Sequence, residues 1–272
     1  MTFNDYIYMF DDSYLRHGVK SLNSKRFQET FEDVYCGMPK LPFWVLAGNH
    51  DHRGNVSAQL EYSTRSEHWN FPKMYYNLST PELELLMVDT VLLAGITDDS
   101  CLGCPLDGPD EPDLAEAQWD WLEQKLRQSR AEFLWVAGHY PIYSAGSDGT
   151  QALLVQRLLP MLRRYGAHYI SGHDHMLEHI EVDGVHMFVT GMGRECCYDT
   201  EKLHTVPPGA LRYVLSGPQG QGPGVGPRPQ RNVSGGFSSI EFGEAAVVTY
   251  HDQHGGILYS TSVARRQLAV VL

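Results

Sequence analysis

The chain has 272 residues, of which 42% are hydrophobic, enough to bury one large core or two smaller ones. It carries 33 aspartates and glutamates against 21 lysines and arginines, for a net charge of −12. A negative field of this kind repels polyanions, and there is no basic run, so nucleic acid is not an expected partner. No segment reaches about 18 consecutive apolar residues. The N-terminal stretch lacks the features of a signal peptide, so we expect neither a membrane span nor an export signal in the sequence as written.

Strand and helix patterns alternate along the chain. Apolar runs predict strands at residues 6–10, 42–48, 74–78, 84–90, 132–140 and 168–175. Helical periodicity predicts helices at residues 24–35, 114–126 and 152–164. The first strand, the first helix and the second strand form a β-α-β unit, and the alternation as a whole predicts an α/β fold.

The predicted helices have definable apolar faces. In the first helix, Phe27, Phe31 and Val34 share one side. In the second helix, the apolar stripe consists of Leu114, Trp121, Leu122 and Leu126. In the third helix, Pro160 is expected to produce a kink, because proline removes one backbone hydrogen bond.

Three predicted strands end in a glycine followed by side chains that can bind metals. These are "GNHD" from Gly48, "GHY" from Gly138 and "GHDH" from Gly172. A single Gly-His pair is typical of an ordinary turn. Ligands in open α/β sheets collect outside the carboxyl ends of the strands, so the three together predict one shared site. An acidic turn, "FDDSY", follows the first strand and could add Asp11 and Tyr14.

Cysteines and sequons give weaker signals. The five cysteines leave at least one thiol free or paired to another chain, because the number is odd. Cys101 and Cys104 form a lone C-x-x-C, which favours a local disulfide or free thiols over structural zinc. Three N-x-S/T sequons, at Asn55, Asn77 and Asn232, predict N-glycosylation and a secretory route.

The motifs resemble those of the purple acid phosphatases, within the calcineurin-like metallophosphoesterases, and specifically the tartrate-resistant type 5 animal enzymes. The family blocks G-D-x-x-Y, G-N-H-[DE], V-x-x-H and G-H-x-H correspond in order to "FDDSY", "GNHD", "VAGH" and "GHDH", except that Phe10 stands where the first block has glycine. Longer runs such as "VLAGNHDHRGNVSAQ" and "VAGHYPIYS" extend the resemblance over nearly the whole chain from about residue 6. It implies one domain over residues 1–272, folded as the metallophosphoesterase-type four-layer α/β/β/α sandwich.

The resemblance also implies an activity and a cofactor. It implies an acid phosphatase that hydrolyses phosphomonoesters and phosphoproteins at a binuclear centre of Fe(III) with Fe(II) or Zn(II), with a metal-bound hydroxide as nucleophile. Carboxylate and phenolate suit Fe(III), while imidazole and amide suit the divalent ion. The implied residues are Asp11 bridging both metals, Tyr14 and His175 on the ferric ion, Asn49, His139 and His173 on the divalent ion, and His50 as proton donor. His52 matches no ligand and is interpreted either as structural or as a residue that supports the ligands without binding a metal.

This chain departs from the family pattern in several places. The family's first block, D-x-G, is not matched, so the expectation is a chain without the first β-α unit and without one ferric ligand. Asp148 stands where type 5 enzymes usually place a histidine that faces the phosphate. A carboxylate there repels a phosphate dianion and should shift affinity or pH dependence. Residues 217–230 form an insertion rich in Gly, Pro and Gln, which is expected to be disordered.

Two functional interpretations remain open from the sequence. The first is an acid phosphatase. The second is a truncated, non-catalytic phosphate- or metal-binding relic that retains only the divalent metal site. By family resemblance, we expect a secreted or lysosomal monomer that acts on a phosphomonoester or phosphoprotein, with no nucleic-acid or membrane partner.

Overall fold

Three β-sheets form within the residues that the computed structural model describes, namely 18–38, 41–97, 106–193, 197, 199–215 and 233–267. The strands are β1 (Phe43–Trp44), β2 (Trp69–Asn70), β3 (Tyr76–Ser79), β4 (Leu83–Met87), β5 (Phe133–Ala137), β6 (His168–Ser171), β7 (Leu177–Val182), β8 (Val185–Thr190), β9 (Leu211–Leu215), β10 (Gly236–Phe242), β11 (Ala245–Asp252) and β12 (Ile257–Ala264). The central sheet has the order β3-β4-β5-β6-β8-β7-β9. In it, β3 and β7 run opposite to the other five strands.

The described residues also form two smaller sheets. Strands β1 and β2 form a short parallel pair, and β10, β11 and β12 form an antiparallel sheet. The helices are a π-helix at Gln28–Glu32 followed by α1 (Asp33–Tyr35), then α2 (Asn49–His52), α3 (Val56–Tyr62), α4 (Thr90–Ala94), α5 (Pro112–Gln128), α6 (Ala152–Tyr165) and a 3-10 turn at Leu203–Thr205. In the part of the chain that the structure describes, none of these helices is long and apolar enough to span a bilayer.

The central sheet separates two hydrophobic layers. Neighbouring residues on a strand point to opposite faces, and β5 is buried at all five positions. Val136 faces a cluster that includes Trp119 of α5 and Leu158 of α6. Trp135 faces a second cluster, which contains Val248 of the three-stranded sheet. The arrangement of helices, sheet and sheet confirms the predicted α/β class and its metallophosphoesterase-type architecture.

The first predicted helix is distorted, and one predicted core residue is wrong. Phe27 and Phe31 are buried, as predicted, but the side chain of Val34 is 44% exposed. A π-helix closes hydrogen bonds from residue i to i+5, so each turn contains more residues than an α-helical turn. The buried face therefore reaches Tyr35, whose ring lies 5.4 Å from that of Phe31.

The apolar stripe predicted for α5 is also partly wrong. Leu122 and Leu126 are buried, but Leu114 is 49% exposed and Trp121 is only partly buried. The buried stripe is instead Ala115, Gln118, Trp119, Leu122 and Leu126. Gln118 can be buried because its amide bonds the backbone of Asp89 in both directions, at 2.8 and 3.0 Å. Hydrophobic periodicity does not assign a polar residue such as Gln118 to the buried face. The side of the helix that faces the core is therefore predicted incorrectly.

One predicted strand near the candidate site is shorter than expected, and one predicted helix is confirmed. The strand predicted at residues 42–48 is regular only at β1, and residues 45–48 lead from it into α2. The strand predicted at residues 6–10 lies outside the described residues, so its β-α-β unit stays a prediction. Helix α6 occupies the predicted range and continues through Pro160.

Candidate active site

Strands β5 and β6 deliver two histidines to the same edge of the central sheet. The two strands are parallel neighbours, so their carboxyl ends lie together. His139 follows β5 after Gly138, and His173 follows β6 after Gly172. The two turns are joined by a hydrogen bond from the Gly172 amide to the His139 carbonyl, at 3.1 Å. The predicted meeting of the Gly-His turns is therefore present in the structure.

Three side-chain atoms that could each bind a metal ion lie close together at this edge. Nε2 of His139 lies 2.9 Å from Oδ1 of Asn49 and 3.1 Å from Nδ1 of His173. All three side chains are buried. A neutral imidazole nitrogen has either one proton or one lone pair, so Nε2 of His139 cannot make two full-strength hydrogen bonds there at once.

Donor chemistry and spacing together fit a divalent ion. Ligands at about 2.0–2.2 Å from one ion lie roughly 3.0–3.5 Å from each other, and Nε2 of His139 lies near that spacing from its two neighbours, at 2.9 and 3.1 Å. Within the described ranges, no group of three or more His, Cys, Asp or Glu side chains is placed to hold a metal ion. Beside His139 and His173, the amide oxygen of Asn49 is a third atom at this position that could bind a cation.

The turn that carries Asn49 is held by side chains from outside the motif. Nδ2 of Asn49 donates to Oγ1 of Thr97 at 2.5 Å, which aims Oδ1 at His139. Asp51, which is buried, accepts from the Gly48 amide at 2.9 Å and from the Gln59 amide at 2.8 Å. Asp51 thus fixes the turn at the start of α2. Sequence reasoning gave it no role, although it is the last residue of "GNHD".

The turn that carries His173 is conformationally strained. His173 has a φ of 68°, in the left-handed region that side chains other than glycine rarely adopt. The turn packs closely on Gly191, where a Cβ atom would lie 2.0 Å from the carbonyl oxygen of Asp174. Strain of this kind persists only where the surroundings determine the conformation, and it is common at functional sites.

The turn that carries His173 lies close to several buried carboxyl groups. Oδ2 of Asp148 lies 3.7 Å from Nε2 of His173, so the residue expected in the substrate pocket does contact a candidate ligand. The Asp148 amide donates to Oδ1 of Asp174 at 3.1 Å. Burial raises the pKa of Asp174 to about 7, and the charge of Asp148 adds to this. Burial also raises the pKa of Glu178 to about 8. Asp174 stands in "GHDH" but had no predicted role, and no sequence signal marks Glu178.

His52 pairs with a buried carboxylate rather than with the donor group. Its Nε2 lies 2.8 Å from Oδ2 of Asp89, which is fully buried. Burial lowers the pKa of His52, but the hydrogen bond and charge of Asp89 outweigh it, so the pKa is raised. The other oxygen of Asp89 caps α4 by accepting from the Leu92 amide at 2.9 Å. This agrees with the structural role predicted for His52.

His50 and His175 are the other predicted site residues within the described ranges. His50 lies on α2 next to Asn49, is partly exposed, and its carbonyl accepts from the Gly18 amide at 2.9 Å. His175 is partly exposed, two residues beyond His173. Asp11 and Tyr14 lie outside the described residues.

The sequons and cysteines are only partly described. Asn55 is exposed and caps α3, its Oδ1 accepting from the Ala58 amide at 2.9 Å. Asn77 is partly exposed in β3. Glycosylation at these residues stays a prediction. Asn232, the insertion at residues 217–230, and the Cys101 and Cys104 pair lie outside the described residues.

Comparisons with known proteins agree with this architecture. Residues 9–177 match the family model described as calcineurin-like phosphoesterase. Tartrate-resistant acid phosphatase type 5 of Rattus norvegicus is 37% identical over 273 residues, covering 96% of this chain and 79% of the relative. The Homo sapiens enzyme of that name is 38% identical over 275 residues, covering 96% and 80%. Purple acid phosphatase 7 of Arabidopsis thaliana is 27% identical over 272 residues, covering 96% and 76%.

A solved structure provides an independent comparison of the fold. GAP50, the anchor in the inner membrane complex of Plasmodium, superposes with a TM-score of 0.67 at 20% identity. The superposition covers 95% of this chain and 78% of GAP50. At this identity the likeness concerns the fold alone.

Proposed function

Since the chain belongs to the calcineurin-like phosphoesterase family and, within it, to the purple acid phosphatases, we propose that it hydrolyses phosphomonoesters, including phosphoproteins, at a binuclear centre. The proposed metals are Fe(III) with Fe(II) or Zn(II). The observation that carries this proposal is the convergence of Asn49, His139 and His173, whose donor atoms lie 2.9 and 3.1 Å apart. Hydrogen bonding alone does not account for that arrangement, whereas a shared cation does.

Each metal-binding role is the one that the family resemblance implies, and the ligand chemistry is consistent with it. Asn49, His139 and His173 would hold the divalent ion. His175 would hold the ferric ion with Tyr14, and Asp11 would bridge the two. The pair of ions, when bound, supplies charge that polarises the phosphoryl oxygens and activates water as the nucleophile.

His50 is the proposed general acid. It lies on α2 immediately after Asn49, and its partial exposure leaves the imidazole accessible to a substrate at the edge of the sheet. An imidazole in this position protonates the leaving alkoxide as the bond to phosphorus breaks. Its two neighbours in the chain, Asn49 and Asp51, are both buried, which fixes the backbone of His50.

Asp148 distinguishes this site from the type 5 pattern. Its carboxylate lies 3.7 Å from His173, so a phosphate dianion bound there meets a negative charge. We expect weaker phosphate binding than a histidine at this position would give.

The proposed setting is that of a secreted or lysosomal monomer with a single domain. The exposure of Asn55 supports glycosylation at that sequon, because an oligosaccharide needs an accessible amide. No nucleic-acid or membrane partner is proposed, since the net charge of −12 opposes both anionic surfaces.

Metal analysis of the purified chain tests the proposal. His139→Ala and His173→Ala should each abolish binding of the divalent metal and hydrolysis of an aryl phosphate, because each removes one of three protein donors described here. His254→Ala is the matched control, since that histidine is exposed in the turn between β11 and β12. Unchanged metal content in both site variants would exclude the assigned ligands.

The general acid needs a separate kinetic test. His50→Ala should keep the metal content and lower turnover by about 10²–10⁴, the usual contribution of general acid catalysis. Loss of metal together with rate would make His50 a ligand instead. A wild-type chain that binds one metal ion and hydrolyses nothing would favour the non-catalytic phosphate- or metal-binding function.

A further inference from the structure

A cavity away from the candidate active site is lined by arginines. It has a volume of about 690 Å³ and lies where the C-terminal ends of α5 and α6 meet the residues around the end of β12. We call it the arginine groove, after Arg127, Arg130, Arg163, Arg164, Arg265 and Arg266. The described residues that line it include no aspartate or glutamate, in a chain whose net charge is −12.

The groove lies at the opposite edge of the central sheet from the candidate active site. His168 and His186, near the amino ends of β6 and β8, line the groove. His139 and His173 follow the carboxyl ends of β5 and β6. A strand rises about 3.3 Å per residue, so the four or five residues of these strands separate the two sites by roughly 15 Å. An anion in the groove would therefore not occupy the active site.

Three of the arginines have carboxylate partners outside the lining. The pairs are Arg163 with Asp183 at 2.9 Å, Arg164 with Glu123 at 3.8 Å, and Arg265 with Glu132. These side chains are all substantially exposed. Exposed ion pairs contribute little free energy, so the guanidinium groups of Arg163 and Arg164 can turn to another anion at small cost. Arg265 is held more firmly, because it also donates to the Gly243 carbonyl at 3.0 and 2.6 Å.

The other three arginines have no carboxylate within ion-pair distance among the described residues. They are Arg127, Arg130 and Arg266. Arg266 instead donates to the carbonyls of Ala131, at 2.6 Å, and Tyr165, at 3.2 Å. Burial lowers the pKa of Arg266, the charge of Glu84 offsets part of this, and the charge of Arg130 lowers the pKa further. The guanidinium groups thus repel one another, and a bound anion would relieve that repulsion.

A purely structural role accounts for only part of this cluster. Arg127, Arg163 and Arg164 lie in the last turns of α5 and α6, where a cation interacts favourably with the helix dipole. Arg130 lies beyond α5, and Arg265 follows β12. Backbone contacts account for part of their placement, since Arg265 donates to the Gly243 carbonyl and Nη1 of Arg130 donates to the carbonyls of Arg127 and Ser129. Among the described residues, no hydrogen bond uses Nε or Nη2 of Arg130.

We propose that the arginine groove binds a small soluble oligophosphate, with two or more phosphate groups. A guanidinium group is planar and pairs two phosphate oxygens at once, and the groove offers several such groups from separate segments. Its volume is within the range of about 300–1,000 Å³ that is typical of small-molecule sites. The groove is therefore larger than a single phosphate group requires. The negative charge of the whole protein disfavours long polyanions, which would extend beyond the groove.

Binding of inorganic tripolyphosphate, measured by titration calorimetry, tests the proposal. Arg127 and Arg130 are exposed, so Arg127→Gln with Arg130→Gln should leave the fold intact while weakening binding at least about 10-fold, the effect of losing one charge-assisted hydrogen bond or more. Arg157→Gln is the matched control, because Arg157 lies on α6, pairs with Glu116 and is outside the groove. His139→Ala should retain binding, since it alters only the other edge of the sheet.

Hydrogen exchange of the wild-type protein locates the ligand without any substitution. Tripolyphosphate should protect amides at residues 163–168 and 263–267. Inorganic phosphate should bind at least about 10-fold more weakly, because it contacts fewer guanidinium groups. The proposal is overturned if the double variant binds as tightly as wild type, if protection is confined to residues 138–140 and 172–175, or if phosphate binds as tightly as tripolyphosphate.

Discussion

Replacing Glu178 by glutamine should change how stability depends on pH. Glu178 lies on β7, fully buried, and accepts hydrogen bonds from the Ala145 amide at 3.1 and 3.2 Å and from the Ser144 hydroxyl at 3.2 Å. Burial raises its pKa from 4.5 to about 8. The folded protein therefore holds this carboxyl group protonated at neutral pH.

The sign of the effect follows from the two pKa values. Below a pH of about 4.5 the carboxyl of Glu178 is protonated in both the folded and the unfolded chain. Between there and a pH of about 8 only the unfolded chain releases the proton, so the free energy of unfolding falls as the pH rises. At about 1.4 kcal/mol per pH unit, the loss reaches roughly 5 kcal/mol when it is complete. That is comparable to the whole stability of a small domain, so it is measurable.

The assay is urea unfolding followed by tryptophan fluorescence at pH 5, 6, 7 and 8. Glu178→Gln stays neutral throughout and keeps an oxygen that can accept from Ala145. Relative to the variant, the wild-type protein should lose about 2–5 kcal/mol of unfolding free energy between pH 5 and 8. Glu241→Gln, at an exposed position on β10, is the matched control and should show no such trend. A difference between wild type and Glu178→Gln that does not vary with pH would refute the reasoning.

Three further substitutions probe the surroundings of the site. Asp148→Asn removes a negative charge and should lower KM for an aryl phosphate roughly 10-fold with little change in kcat, since two charges about 4 Å apart interact by about 1 kcal/mol or more; an unchanged KM would contradict this. His52→Ala leaves the buried carboxylate of Asp89 without its imidazole partner and should lower the free energy of unfolding by about 3–5 kcal/mol in chemical denaturation. Gly191→Ala places a Cβ atom 2.0 Å from the Asp174 carbonyl, so it should weaken divalent metal binding in a titration while circular dichroism stays close to wild type.

The residues of the candidate site could be predicted from the sequence because their signal is local. An apolar run that ends in glycine and then histidine specifies a buried strand and a sharp turn within about eight residues, and this places His139 and His173 at strand ends. The parallel order of β5 and β6 then brings them together. Family motifs extended this to Asn49 and His50, and to Asp11 and Tyr14, which the structure does not describe.

Other features were decided by contacts between distant parts of the chain. The phase of α5 depends on Gln118 reaching the backbone of Asp89, 29 residues away. His52 is hydrogen-bonded to Asp89, 37 residues away, and no short sequence window contains both partners. Hydrophobic periodicity treats a polar residue as exposed, so it fails wherever such a residue finds a buried partner.

The fold class and the family could be predicted from the sequence, since both depend on short motifs and on the order of strands and helices. The burial of Asp148, Asp174 and Glu178 near the candidate ligands, and the groove shared by arginines at the ends of α5, α6 and β12, are visible only in the folded chain. These two features have one cause. Burial and electrostatic potential are sums over side chains that only the folded chain brings within a few ångströms of each other, so they have no local pattern to read.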